Sequence, residues 1–340
     1  MSEVRNAVQP ARVPSYAELL QRTDAPAGSS WGVFGDDDEL GTLNFLTPAA
    51  TRRAAKLVRT GRSFNLDYPI NAFVPSIAGT RPATAHHMFS NNPNHRDDWL
   101  DSFYLQSTSQ VDGLRHIRSP EHGFYNGVTD DKITLAWPDK PELGVQLLAE
   151  KAIAARGVLL DAKRYFEGLG EEWRLDRPRP ITPPELDRIA AAEGVEIQQG
   201  DIVLLHVGWA KWWLGASEDE RRGRTGTPGL AQSFDMLAWI WDHRIAMFAA
   251  DNSGLEGSPK LPDSGLFLAD DPPPERGPSH NGSLHRHLIP LLGLIIGELW
   301  FLDELAAHCA EDGVYEFFLT CSPLNVVGGV GAPPNAIAIK

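Results

Sequence analysis

The sequence predicts a mixed α/β fold organised as one domain. Three observations carry this. Short runs rich in Val, Ile and Leu recur at 157–162, 201–209 and 245–251; segments with helical patterning separate them; and the 340 residues contain no repeat, low-complexity tract or convincing internal linker. An apolar fraction of 42% is ordinary for a globular chain and sufficient for a sizeable core.

In chain order, residues 1–45 are rich in Gly, Asp and Pro and are expected to form an N-terminal extension wrapping the core or a partner subunit. Thr47 and Pro48 supply an N-cap and a first helical residue, so TPAATRRAAKLVRTG reads as a helix ending at Gly61. SFNLDYPI then reads as a strand. Residues 71–99 mix Pro, Asn, His and Gly without a period and are expected to be a loop or lid. Farther on, GVLLDA, DIVLLHVGW and IAMFAAD read as strands, and PPELDRIAAAEG and LAQSFDMLAWIWDHR as helices. LHRHLIPLLG, LIIGELW, the helix LDELAAHCAEDG and the strand VYEFFLT close the chain, and the Pro-rich run at 270–282 reads as a surface loop.

Charge and cysteine content narrow the function classes. A net charge of -14 and the absence of any basic run argue against nucleic acid or an anionic membrane as partner. Cys309 and Cys321 lack ligand or CxxC spacing and are expected to be reduced and structural. The N-terminus has no apolar core of a signal sequence, and no stretch approaches the about 18 apolar residues of a membrane span, so a cytoplasmic location is expected.

The segment Leu105–His116, LQSTSQVDGLRH, is the most informative. Gln106, Gln110 and Asp112 share parity, so on an extended chain their oxygens emerge from one face. Three oxygen donors on one face suit a divalent cation, with Asp112 supplying the charge. Beyond Gly113, which permits a tight turn, His116 is the natural general acid or base. Alternating polar residues usually mark a solvated strand face, so periodicity alone favours that reading and something further is needed to overturn it. Glu298 adds weight: an acid inside LLGLIIGELWFL is costly to bury without a cation or hydrogen-bond partners.

Other candidates are less telling. His86 and His87 are adjacent on the period-free segment, and a lid or surface position is expected for both. Asp251 closes an apolar strand and either orients a ligand or caps the next turn. The 10 Trp residues, several of them in WAKWW and WIW, read as packing.

The same stretch resembles the HxGTHxDxPxH signature of the kynurenine formamidase-like, or cyclase, family. In that motif two His and the Asp bind metal and the last His moves the proton. The motif places Gln106 and Gln110 at the two His ligands, Asp112 at the Asp and His116 at the proton-transfer His; Thr108, Ser109 and Leu114 replace its Gly, Thr and Pro. WGVFGDDDELGTLNFLTP, HGFYNG, RGVLLDA, GDIVLLHVGW, AADNSGLE, GELWFLDELA and PLNVVGGVGAPPNAIAI extend the resemblance almost end to end to the longer-chain members, which often carry Gln at both positions. A downstream His and Glu complete the family's metal site. Glu298 matches the Glu; His285 and His287 both fall near the His, and His285 is preferred.

The resemblance implies a swivelling β/β/α domain, assembly as a homodimer or homotetramer, and a metal-dependent hydrolase acting on a small cyclic, amide or ester substrate. A lyase or cyclase on the same site, and a metal-free binding protein, stay open beside it. Family members include zinc and manganese enzymes. Amide oxygens in place of two imidazoles harden the site, so Mn is favoured, with Zn or Mg also in view and Ca allowed.

Overall fold

The apolar runs at 157–160, 202–205, 247–250 and 295–297 lack alternation because they are buried on both sides, as parallel strands covered by helices must be. The computed structural model describes residues 10, 12–77, 79–135 and 141–340. Among them, the strands are β1 (Ser63–Asn65), β2 (Ala85–Asn92), β3 (His95–Asp101), β4 (Gln110–Asp112), β5 (Ile153–Asp161), β6 (Arg179–Ile181), β7 (Ile202–His206), β8 (Pro228–Leu230), β9 (Met247–Ala250), β10 (Ile295–Glu298), β11 (Glu316–Cys321), β12 (Gly331–Ala332) and β13 (Ala336–Ile339). The helices are α1 (Tyr16–Leu19), α2 (Pro48–Ala54), α3 (Gln146–Lys151), α4 (Ala162–Gly168), α5 (Pro183–Ala192), α6 (Trp209–Gly215), α7 (Glu218–Gly223), α8 (Phe234–Asp242), α9 (His285–Leu288) and α10 (Asp303–Asp312).

Nine strands form one sheet in the order β1-β13-β11-β5-β7-β9-β10-β4-β12. β5, β7, β9 and β10 run parallel at its centre, and antiparallel strands extend both sides. This central block fixes where chemistry can sit. Side chains at the C-terminal ends of parallel strands converge beyond the sheet, where α/β folds commonly place ligands. The strands and helices expected from the apolar runs are present, although SFNLDYPI is a strand only over Ser63–Asn65, and α5 carries the Thr182–Glu185 capping box. Cys309 and Cys321 are both buried and free. None of the described helices is long and apolar enough to cross a membrane.

Four expectations need correction. The helix begun by Thr47 and Pro48 stops at Ala54 and tightens into a 3-10 turn over Ala55–Leu57, short of Gly61. DIVLLHVGW, expected as a strand to Trp209, ends as a strand at His206, and WAKWW starts α6 at Trp209, with Trp209 and Trp213 buried and stacked at 5.1 Å as the packing reading expects. The stretch 71–99, of which residue 78 lies outside the described residues, is not a continuous loop: β2 and β3 pair there as an antiparallel ribbon from Ala85 to Asp101. Both faces of the ribbon are exposed, so it has no buried face to impose an alternation. His86 lies on that ribbon in an exposed ion pair with Asp98, and His87 stacks on Trp99. Finally, only Gln110–Asp112 of Leu105–His116 is extended, and Gln106 lies in a turn before it.

Within 1–45, residues 1–9 and 11 lie outside the described residues. The rest lies against the body: α1 packs on α8, and the Trp31 indole donates to the Pro290 carbonyl at 2.7 Å.

Candidate metal centre

β4 pairs antiparallel with β10, and the register sets Gln110 opposite Glu298 and Asp112 opposite Ile296. Directly opposed residues share a face, so Gln110, Asp112 and Glu298 point into one volume. Gln106 joins them by a different route. The turn at Tyr104–Ser107 and the bonds from the Thr108 hydroxyl to the Tyr68 and Pro69 carbonyls bring it back over β4. Its side chain passes over Gly331, where a Cβ would meet the Val111 carbonyl oxygen at 2.6 Å and Gln106 Cγ at 3.0 Å, so only glycine leaves it room.

Gly113 acts differently from expectation. It needs no left-handed backbone; a Cβ there would meet the Val330 carbonyl oxygen at 2.9 Å, so what it permits is close approach of the chain entering β12. The turn that follows is closed by His116 N donating to the Gly113 carbonyl at 3.0 Å. It is anchored by the buried Arg115 guanidinium, which donates to the carbonyls of Glu142, Thr134 and Gly328. His116 is thereby brought back toward Asp112, with Nε2 3.7 Å from Oδ2.

The hydrogen bonds define what each group does. Gln106 Nε2 donates to Asp112 Oδ1 and to His116 Nδ1, the latter at 3.1 Å. An amide N–H only donates, so Nδ1 is the unprotonated nitrogen and the neutral ring carries its proton on Nε2, facing Asp112. Gln110 Nε2 donates to Glu298 Oε2 at 2.7 Å, while the indole of Trp300 donates to the Gln110 carbonyl at 3.0 Å and pins that residue's backbone.

His285, on α9, lies 3.0 Å from Glu298 Oε1 through Nε2, and its Nδ1 donates to both oxygens of Glu256 at 2.9 and 3.0 Å. His287, the alternative, turns to the edge of Phe234 and away from this cluster. Neither Glu256 nor His280 was singled out from sequence. Glu256 ends AADNSGLE and could have been suspected as an acid following an apolar strand; His280 sits in the run read as a surface loop and carried no signal. Most of that run is exposed, yet it delivers His280 to within 6.0 Å of the His116 ring and 5.5 Å of the His285 ring.

Burial makes the electrostatics severe. Asp112 is fully buried, and Gln110, His285, Glu256 and Glu298 nearly so. Burial first, and then the Asp112 carboxylate, pushes the Glu298 pKa up. Burial opposes charge on His285 too, but Glu256 and Glu298 outweigh it and raise that imidazole well above its ordinary range. Burial also works against Glu256, and there the His285 charge prevails and lowers it. His280 is pushed down to about 4, by burial and then by the neighbouring imidazoles. Against this background Gln110 Oε1 and Asp112 Oδ2 are buried without any hydrogen-bond partner. One ligand atom each from Asp112, His285 and Glu298 lies within 4.8 Å of the others. Buried oxygens and an imidazole in such a cluster, some of them unsatisfied, form the donor set of a divalent-cation site.

Asp251 belongs elsewhere. Its carboxylate accepts the amides of Val207 and Gly208 at 2.8 and 2.7 Å, so it caps the turn after β7 rather than its own.

Comparison with known proteins agrees with this architecture. The family model described as "Putative cyclase" matches residues 64–257, more than half of the chain. A crystal structure described as a novel cyclase is 31% identical, with a TM-score of 0.76 over 92% of this chain and 99% of that one. Isatin hydrolase A from Labrenzia aggregata, solved with benzyl benzoate, is similar in fold at 17% identity and TM-score 0.55, covering 84% of this chain and 94% of that one. Isatin hydrolase A from Ralstonia solanacearum gives 16%, 0.53, 86% and 97%. A search of curated proteins found no match. The mixed α/β sheet, the family model and the 31% identical structure together show that this chain belongs to the cyclase family.

Proposed function

We propose that the protein is a metal-dependent hydrolase that opens a small cyclic, amide or ester substrate such as a lactone, cyclic imide or N-acyl compound. The convergence of Asp112, His285 and Glu298, with the orphaned Gln110 and Asp112 oxygens between them, carries this reading. Asp112, Glu298 and His285 would hold the ion, and the amide oxygens of Gln106 and Gln110 would turn in to complete its shell. Manganese is favoured, with zinc or magnesium as alternatives, because the set is rich in oxygen. A divalent cation in this position supplies Lewis acidity that makes water nucleophilic near neutral pH and offsets charge developing on a carbonyl oxygen.

The chain's own groups do the rest. Glu256 holds the His285 ring through Nδ1, directing Nε2 inward, as outer carboxylates do for metal-binding histidines. His116 reaches the same volume, with Nε2 3.7 Å from Asp112 Oδ2, so His116 is the group that delivers a proton to the leaving nitrogen or oxygen and recovers one from water. His280, neutral beside these rings, lines the same volume and offers a hydrogen bond to a substrate.

Two similar folds bear the name isatin hydrolase, which favours hydrolysis over other chemistries of the fold. The deciding experiment incubates manganese-loaded protein with lactones, cyclic imides including isatin, and N-acyl anilines in 18O-labelled water. Ring opening with label in the product, abolished by chelator and restored by manganese, is expected. Unlabelled product would indicate a lyase, and tight binding without turnover a binding protein. We further take the chain to form a homodimer or homotetramer. The exposed β2–β3 ribbon supports this: it displays Met88, Phe89, Trp99 and Leu100, and two-stranded ribbons are marginal alone. Sedimentation tests it, and a monomer at micromolar concentration would refute it.

A further inference from the structure

A second cluster lies at the same end of the sheet but on its opposite face. His206 ends β7 level with Asp161 at the end of β5, and Leu205 lies level with Ala250 on β9, so Asp251 falls beside His206. On β10 Gly297 is level with Ala249, which puts Glu298 level with Ala250. Successive residues of a strand alternate faces, so Asp251 and His206 point away from the side occupied by Glu298. The first residue of α10, Asp303, closes the group.

Its geometry repeats that of the first centre. Asp161 accepts the proton of His206 Nδ1 at 2.8 Å, as Glu256 does for His285. Asp161 is itself fixed: its Oδ1 accepts the Arg164 amide, and its own amide donates to Glu193. The lone pair of Nε2 is thereby directed inward. There it lies 3.9 Å from Asp251 Oδ2 and 3.7 Å from Asp303 Oδ1, with all three ligand atoms inside 4.8 Å. The His206 side chain is 93% buried by its 7% exposure, yet Nε2 has no hydrogen-bond partner, and neither do Asp303 Oδ2 or the Tyr68 hydroxyl. A proton on Nε2 would find no acceptor at those distances, since N–H···O bonds close near 2.9 Å. A cation fits between the three atoms, where a proton does not.

We propose that His206, Asp251 and Asp303 form a second divalent-cation site, oriented from behind by Asp161, which ties the ends of β7 and β9 to the start of α10. One imidazole with two carboxylates suits zinc. The site is independent of the hydrolase reading, because it shares no residue with the first centre.

The test strips the full-length chain with chelator, dialyses it against zinc chloride and counts bound metal per chain. Asp303→Asn and His206→Gln are each expected to hold one ion fewer than wild type. Asp112→Asn, at the first centre, loses its own ion and keeps this one, while Asp112→Asn combined with Asp303→Asn loses both. Circular dichroism monitors folding, and the partly exposed Asp303 carries the test if His206→Gln fails to fold. Wild-type stoichiometry in folded Asp303→Asn, or no residual ion in Asp112→Asn, would overturn the proposal and leave His206 as a charged imidazole among carboxylates.

Discussion

Asp112→Asn should separate stability from function. The change is isosteric, and the amide oxygen can still accept from Gln106, so packing is retained. What disappears is a fully buried negative charge facing Glu298, whose own pKa is raised by burial and by Asp112. Two like charges no more than 4.8 Å apart in an effective dielectric of about 20 repel by at least about 3 kcal/mol when both are ionised, which sets the scale of the relief. Metal-stripped Asp112→Asn is therefore expected to be more stable than metal-stripped wild type by about 1–3 kcal/mol near pH 8, measured by urea unfolding. The sign depends on pH. A carboxylate with a raised folded pKa destabilises the fold as pH climbs above its unfolded value of 4.5, so the advantage should shrink as pH falls toward that value. With manganese present the order reverses, because ligand binding then stabilises only the wild type. A metal-stripped variant that is equally or less stable near pH 8 would refute the reasoning, since Asp112 would then be satisfied without a cation.

Three further outcomes follow from the geometry. His116→Asn should lower kcat/KM by about 10²–10⁴-fold while metal content stays unchanged, and steady-state kinetics with metal analysis checks both. Glu256→Gln weakens the hold on His285 and should cut manganese affinity about 10–100-fold by isothermal titration, with the fold retained. Glu193 is raised to about 8, by burial first and by Asp161 after the opposing hydrogen bond, so the wild type should lose stability as pH rises from 4.5 through about 8. Glu193→Gln should flatten that loss in thermal melts, and an unchanged slope would show that Glu193 is not its source.

What could be read from sequence follows from what burial imposes on it. The central strands were legible because β5, β7, β9 and β10 must be apolar on both faces, and α5 and α2 because Thr and Pro mark their starts. The β2–β3 ribbon was not, since neither of its faces is buried and nothing in its composition had to alternate. Within the candidate centre, Glu298 stood out as an acid in an apolar run, and Gln110 with Asp112 by parity. Gln106 shares that parity only by coincidence, for it arrives through a turn. Its place, and that of His285, came from the family resemblance. Glu256 and His280 are brought in by loops that precede α9, and contacts made through loops leave no period in the sequence.

The most direct test of the metal centre is anomalous diffraction from crystals soaked in manganese chloride. A manganese peak is expected between Asp112, Glu298 and His285, with the Gln106 and Gln110 amides rotated to present oxygen. Absence of a peak at saturating manganese, with Gln106 still donating to Asp112 and Gln110 to Glu298, would contradict the centre and the hydrolysis proposed for it.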